Sequence, residues 1–219
     1  MSDNMSIRNI VFDLGRVLIN WQPYEYISNK FGKESAEFLD KHLFNSLEWN
    51  LMDKGKLTED QLWDIFVERF PHYSTVIQDL KYNVTSLLVE IKENTRLLRP
   101  LKDFGFKLYV LSNFSNGNFD YVVKRFDFFN YFDGMVISSH VGQIKPDKEI
   151  YETFIKIYKL DPKQSLFIDD KRENIQTAKE LGFHVIHLTD HSLLKSELEE
   201  KLSIKIEAHK FFRVYGSSK

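Results

Sequence analysis

The chain has 219 residues, with 30 lysines and arginines against 32 aspartates and glutamates, for a net charge of −2. That balance offers no field to attract nucleic acid or an anionic membrane, and with no cysteine there can be no disulfide, thiolate nucleophile or cysteine-ligated metal. At 42% hydrophobic and 28% charged the composition is that of a folded, soluble chain, and at about 150 residues per domain its length suits one domain carrying an insertion.

Met1 to Ile7 is polar, with no cationic segment leading into an apolar stretch, so no secretory signal is expected. No apolar run approaches the roughly 20 residues that span a bilayer, and a cytoplasmic location is the expectation. Asn9 to Phe12 is an apolar run that ends on Asp13-Leu14-Gly15 and predicts a buried strand. The next stretch does not read as sheet. Tyr24 to Phe31, Glu48 to Lys54 and Val76 to Leu88 have helical patterns, and Thr58-Glu59-Asp60-Gln61 is a capping box ahead of Leu62, Ile65, Phe66 and Phe70. A helical insert over residues 21–88 is therefore expected, flanked by a core of residues 1–20 and 89–203, with a tail over 204–219.

Pro100 lies inside a helical pattern from Glu93 to Phe104 and predicts a kink or a late helix start. Four further short apolar runs follow. Lys107 to Leu111 ends on Ser112-Asn113, Gly134 to Ile137 precedes a Lys145-Pro146 pair, Ser165 to Ile168 ends on Asp169-Asp170, and His184 to Leu188 comes last. Gly105 and Gly182 each sit just past a helix, where a left-handed residue closes it before the next strand. Short runs apolar throughout and separated by helices predict an α/β fold, a parallel sheet covered on both faces.

In such a sheet, ligands bind at the carboxyl ends of the strands. Asp13, Ser112-Asn113, Lys145 and Asp169-Asp170 would converge on that edge. A phosphoryl group and an attacking carboxylate are both negative, so their meeting requires a cation. Asp13 and Asp170, with Asp169 behind, suit a hard cation with oxygen ligands, most plausibly Mg²⁺. Lys145 supplies a point charge to the phosphoryl, Ser112 a hydroxyl donor, and Asp13 attacks in line to form an aspartyl-phosphate.

The run Ile10-Val11-Phe12-Asp13-Leu14-Gly15-Arg16-Val17-Leu18 resembles the first motif of the haloacid dehalogenase superfamily. Leu111-Ser112-Asn113 resembles its second motif, Lys145-Pro146-Asp147 its third, and Phe167-Ile168-Asp169-Asp170 its fourth, with Asn174 following at a familiar spacing. The resemblance implies a Rossmann-like three-layer α/β/α core with an all-helical cap that closes over the substrate. It also implies Asp13 as nucleophile, Mg²⁺ held by Asp13, the Gly15 carbonyl and Asp170, phosphate contacts from Ser112, Asn113 and Lys145, and support from Asp169 and Asn174.

Two positions depart from the pattern. Most phosphatases of that superfamily carry a general acid two residues after the nucleophile, where this chain has Gly15; such an acid is typically worth about 10²–10⁴-fold. Its loss calls for another acid (a water or a cap residue) or for a better leaving group, such as the anomeric oxygen of a sugar 1-phosphate. Arg16 occupies a place where small residues are usual, and is expected to point to solvent.

The function expected is a Mg²⁺-dependent phosphatase for a small phosphorylated metabolite, a sugar phosphate being favoured. Dehalogenation of a 2-haloacid, which needs no general acid, is the enzymatic alternative; the Asp169-Asp170 pair opposes it, since dehalogenases of this superfamily use no metal and lack that pair. A non-catalytic binding protein is the third reading. The histidines show no metal-ligand spacing, and His184 and His187 read as structural. Phe126, Phe128, Phe129, Tyr131 and Phe132 read as core. Trp21, Phe31, Phe44 and Trp49 read either as core or as an apolar lid. The basic aromatic run His209-Lys210-Phe211-Phe212-Arg213 is not expected to bind nucleic acid.

Overall fold

The computed structural model describes residues 7–207. Strand β1 (Asn9–Phe12) leads through a tight turn to the short β2 (Ile19–Asn20). Helices α1 (Pro23–Phe31), α2 (Lys33–Leu39), α3 (Leu47–Asp53), α4 (Glu59–Arg69) and α5 (Ser74–Asn83) follow, and β3 (Val89–Glu90) returns the chain. Beyond it come α6 (Lys92–Thr95), α7 (Leu98–Asp103), β4 (Lys107–Ser112), α8 (Asn116–Arg125), β5 (Gly134–Ile137), α9 (Ser138–Val141) and α10 (Lys148–Tyr158). The last elements are β6 (Ser165–Asp169), α11 (Arg172–Glu180), β7 (His184–His187) and α12 (Leu194–Leu202).

The five expected strands form one sheet in the order β5-β4-β1-β6-β7, every pair parallel. β1 lies at the centre, with Phe12 opposite Val110 on one side and Ile168 on the other. Alternation explains why these strands are apolar throughout: Ile10, Phe12, Val110 and Ile168 join an apolar cluster on one face, while Val11, Leu111 and Phe167 join a separate one on the other. Phe128 and Phe129 are buried in the first cluster, with Phe126, Tyr131 and Phe132 packed against it, so this aromatic group is core.

The helices between β2 and β3 have their own centre, built on Ile27, Leu39, Leu43, Leu62, Phe66, Ile77 and Leu80. The capping box forms as the sequence predicts: Gln61 N–H donates to Thr58 Oγ1 at 3.2 Å and Thr58 N–H to Gln61 Oε1 at 2.9 Å. The antiparallel pair of β2 and β3, with Ile19 opposite Glu90, is where the chain leaves the core and re-enters it. The helix expected over Val76 to Leu88 ends sooner, at Asn83, and gives way to a 3₁₀ turn over Val84–Leu87. Pro100 acts as a late start: α6 and α7 are separate, and Pro100 stands in the first turn of α7, where its missing N–H breaks no helical bond. Gly105 and Gly182 take φ of 90° and 94° and end their helices as expected. Among the described residues no helix is long and apolar enough to cross a membrane. The run at residues 209–213 lies outside the described residues.

Candidate active site

Parallel strands put the chain's polar punctuation on one edge. Asp13 directly follows β1, its N–H donating to the Ile168 carbonyl at 2.9 Å. The turn after it is closed by Ile19 N–H to Leu14 O at 2.8 Å, Leu18 N–H to Leu14 O at 2.9 Å and Arg16 N–H to Ile19 O at 2.7 Å, bonds that leave the Gly15 carbonyl unused. Ser112 ends β4, Asp169 ends β6, and Lys145 sits between α9 and α10 on a cis bond to Pro146.

The Lys145 ammonium is the hub. It lies 2.8 Å from Asp13 Oδ1 and 2.6 Å from Asp169 Oδ2. Burial would strip its proton, but the two carboxylates outweigh burial and hold Lys145 above its ordinary value and charged. Asn113 fixes the backbone beneath it: its amide donates to the Lys145 carbonyl and its carbonyl oxygen accepts the Lys145 N–H, each at 2.9 Å. Both ends of that carboxamide are thus engaged in placing the ammonium. Asp169 is equally committed, accepting the Lys171 N–H at 2.8 Å and both of its oxygens lying 3.0 Å from Asn174 Nδ2.

Asp170 is different. Among the described residues its one ion pair is with Arg16 Nε at 3.6 Å. Burial, reinforced by Asp13 and Asp169 and opposed by Arg16 and Lys171, pushes its carboxyl up to about 6. Arg16, expected in solvent, is 59% exposed yet makes this ion pair, from a left-handed φ of 58°. Asp13, Asp169 and Asp170 each present an oxygen within 4.8 Å of the others, two of these carboxylates resting on the Lys145 ammonium and the third on Arg16. The buried hydroxyls of Ser112 and Ser115 have no hydrogen-bond partner among the described residues.

These groups face a cavity of about 140 Å³. Asp13, Asn113, Lys145, Asp170 and Asn174 form its polar side. Ile19, Trp21, Trp49, Met52, Leu88 and Phe114 form an apolar side, drawn mostly from the insert and its joints with the core. The Trp21 and Trp49 rings lie 6.1 Å apart, and Phe44 meets their edges at 6.0 and 5.0 Å. Two of the four ambiguous aromatics are therefore cavity wall, Phe44 braces them, and Phe31 packs into the insert's own apolar centre. His184 and His187 bond the Lys163 and Asp170 carbonyls at 3.1 and 3.0 Å, which is structural.

Residues that motif reading missed also line the cavity: Asp53, Ser115, Asn118 and Lys171. Lys171 and Ser115 adjoin recognised positions and follow from proximity in sequence. Asp53 ends an insert helix, and no spacing rule ties that helix to a strand end.

A parallel sheet with an acidic cluster and a buried lysine at its carboxyl edge, roofed by an inserted helical layer, defines a hydrolase architecture. The chain belongs to the haloacid dehalogenase-like hydrolases, whose family profile matches residues 10–188. It is 27% identical over 190 residues to the sesquiterpene phosphatase astK of Aspergillus oryzae, covering 87% of this chain and 94% of that protein. It is 28% identical over 211 residues to the D-ribitol-5-phosphate phosphatase of Bacteroides thetaiotaomicron, covering 88% and 97%. A family enzyme from Bacteroides thetaiotaomicron, solved as an alanine variant with magnesium and inorganic phosphate, superposes with a TM-score of 0.66 at 25% identity, covering 83% of this chain and 94% of that one.

Proposed function

We propose that the protein is a Mg²⁺-dependent phosphatase that cleaves a small phosphorylated metabolite through an aspartyl-phosphate on Asp13. The observation that carries this reading is the charge make-up of the site: three clustered carboxylates, with Lys145 buried against two of them and Arg16 on the third, at the edge where an anionic phosphoryl must enter. The donor set fits a small hard cation. Asp169 is saturated by Lys145, Lys171 and Asn174. The Asp170 carboxylate, met by the exposed Arg16 at 3.6 Å, and the Gly15 carbonyl accept no hydrogen bond among the described residues. Asp13, the Gly15 carbonyl and Asp170 would hold Mg²⁺, with Asp169 and Asn174 in support. The bound cation would neutralise charge on the phosphoryl oxygens.

The protein's own groups then divide the work. An Asp13 carboxylate oxygen attacks phosphorus in line with the ester oxygen. Lys145 orients Asp13 before attack and offers its charge to the phosphoryl oxygens, and the unpartnered Ser112 hydroxyl donates to one of them. Asn113 contributes by placing Lys145 and through its main chain at the phosphate. Water then breaks the acyl phosphate and restores Asp13.

The relatives named above act, by their names, on phosphorylated compounds of opposite character, a terpenoid and a polyol. The absence of an acid at Gly15 supports a sugar 1-phosphate. The apolar wall of Trp21, Trp49, Met52 and Leu88 supports the second reading, a phosphate ester with an apolar portion. A screen of phosphorylated metabolites with Mg²⁺, using Asp13→Asn as blank, tests the proposal. Turnover lost in EDTA and restored by Mg²⁺ is the expected result. Chloride release from a 2-haloacid without metal would overturn it in favour of dehalogenation, and no turnover of any phosphate ester in favour of a binding protein. Ranking hexose 1-phosphates against 6-phosphates and terpenyl phosphates decides the leaving group.

A further inference from the structure

Position 15 faces the nucleophile: a Cβ built there would stand 4.0 Å from Asp13 Oδ2. Glycine offers no proton at that point, and the core supplies no other free acid to the cavity, because Asp169 is saturated and Asp170 is the unspent oxygen donor. Asp53 is the remaining carboxyl on the cavity wall. Resting on the phosphatase reading, we propose that Asp53 of α3 is the general acid and base of the reaction, a catalytic residue delivered to a core site by the inserted helices.

Its placement is over-determined. The Asp53 carbonyl accepts the Ser138 hydroxyl at 2.6 Å, the next residue, Lys54, pairs with Asp147 at 3.3 Å, and Gly55 packs directly on the Ser139 backbone. Three successive residues of the insert thus dock on α9 and on the segment between α9 and α10 that carries Lys145. The carboxyl itself is half-buried and has no hydrogen bond or ion pair among the described residues, so its proton is uncommitted. The charged groups about it are Lys171, Asp13 and Glu59, since Lys54 is turned to Asp147. Burial, with Asp13 and Glu59 adding to it and Lys171 opposing, pushes the carboxyl up to about 7, suited to both giving and taking a proton near neutrality.

The step balances. As the Asp13 oxygen bonds to phosphorus, the ester P–O bond breaks, its electron pair goes to the leaving oxygen, and the Asp53 proton follows to give the free alcohol. In the second half, water attacks the acyl phosphate, its proton passes to the Asp53 carboxylate, and the P–O bond to Asp13 breaks to release phosphate with both aspartates restored. An acid in this place lifts the requirement for an unusually good leaving group.

The test compares an alkyl phosphate with 4-nitrophenyl phosphate, whose leaving group needs no proton, in the wild type, Asp53→Asn and Asp53→Glu with Mg²⁺. Asp53→Asn should lose about 10²–10⁴-fold in kcat/KM on the alkyl ester and less than about tenfold in kcat/KM on the nitrophenyl ester, since kcat/KM reports the steps up to release of the alcohol, while kcat on both falls through the shared hydrolysis of the acyl phosphate. Its kcat/KM profile on the alkyl ester should lose the limb near pH 7, and Asp53→Glu should recover part of the loss. Equal losses of kcat/KM on both esters would overturn the assignment in favour of a positioning role, as would no loss on either. A wild type that turns over neither ester overturns the phosphatase reading, and this inference with it.

Discussion

The Lys145 ammonium lies 2.8 Å from the Asp13 carboxylate with only 1% of its side chain exposed, so the nucleophile proposed above and its countercharge are already partners in the free protein. Removing one member of a buried ionic group leaves the others uncompensated, at a cost of about 3–5 kcal/mol. Lys145→Ala should lower the urea midpoint accordingly, because Asp13 and Asp169 then face each other unrelieved. Its residual turnover should fall by at least about 10²-fold. A variant as stable as the wild type would mean that the ammonium is not the element balancing the cluster.

Asp13→Asn should leave the fold intact, since Lys145 keeps Asp169 at 2.6 Å and the residue 13 N–H keeps the Ile168 carbonyl. Turnover should drop by about 10⁴-fold or more. Acid quench of the wild type during turnover should trap phosphate on the peptide bearing residue 13, and the asparagine protein should trap none. Label on another residue would displace Asp13 as nucleophile.

The pH dependence of stability has a definite sign. The Asp170 carboxyl is raised from 3.8 to about 6 in the fold, so between about pH 4 and 6 the native state holds a proton that the unfolded chain has released. Metal-free protein should therefore lose stability as pH rises through that window, by up to about 3 kcal/mol from this group. Asp53, raised to about 7, extends the decline toward neutrality. Mg²⁺ prefers the ionised cluster, so thermal denaturation should show a large Mg²⁺-induced rise in Tm at pH 7.5 that fades by pH 4.5. A rise equal at both values would place the cation elsewhere.

Gly55 takes a φ of 66°, and a Cβ there would approach the Ser139 carbonyl oxygen to 2.6 Å. Gly55→Ala must push α3 away from the core, moving Asp53 and Trp49 with it. A displacement of this kind should cut turnover by about 10-fold or more while costing about 1–3 kcal/mol of stability. Unchanged kcat with lowered Tm would show that this junction carries stability alone.

Most of the site was legible because parallel sheets make sequence into geometry: a polar residue just after an apolar run must stand at the carboxyl edge, whichever strand it follows. Asp13, Ser112, Asn113, Asp169 and Asp170 could be gathered by that rule, whereas Lys145, which α9 separates from β5, needed the motif resemblance as well. Asp53 could not, because an inserted helix touches the edge through tertiary packing that no period encodes. The same holds for roles within the site. Spacing puts Asn113 at the carboxyl edge, but only the two 2.9 Å bonds reveal that its carboxamide serves the Lys145 backbone. Arg16 shows the limit differently, since a side chain can be mostly in water and still meet Asp170 at its tip.

Trp49→Ala separates the two leaving-group readings. Removing this ring from the apolar wall should raise KM for a terpenyl phosphate by about 10–100-fold and leave inorganic phosphate inhibition unchanged. Equal loss for apolar and polyol esters would show that the ring supports the insert's packing instead.

The Ser138 hydroxyl has a single proton, given to the Asp53 carbonyl at 2.6 Å, while its oxygen accepts the Phe114 N–H at 2.9 Å. A second acceptor, the Phe114 carbonyl, waits at 3.4 Å. Were α3 to lift, a rotation about one C–O bond would hand the proton to that neighbour, and the core would expose no orphaned donor there. The Lys54–Asp147 pair and the Gly117 and Asn118 N–H bonds to Glu59 show no such substitute acceptor among the described residues, so the cost of lifting the roof would fall on them and on the apolar contacts around Trp21 and Trp49 rather than on Ser138.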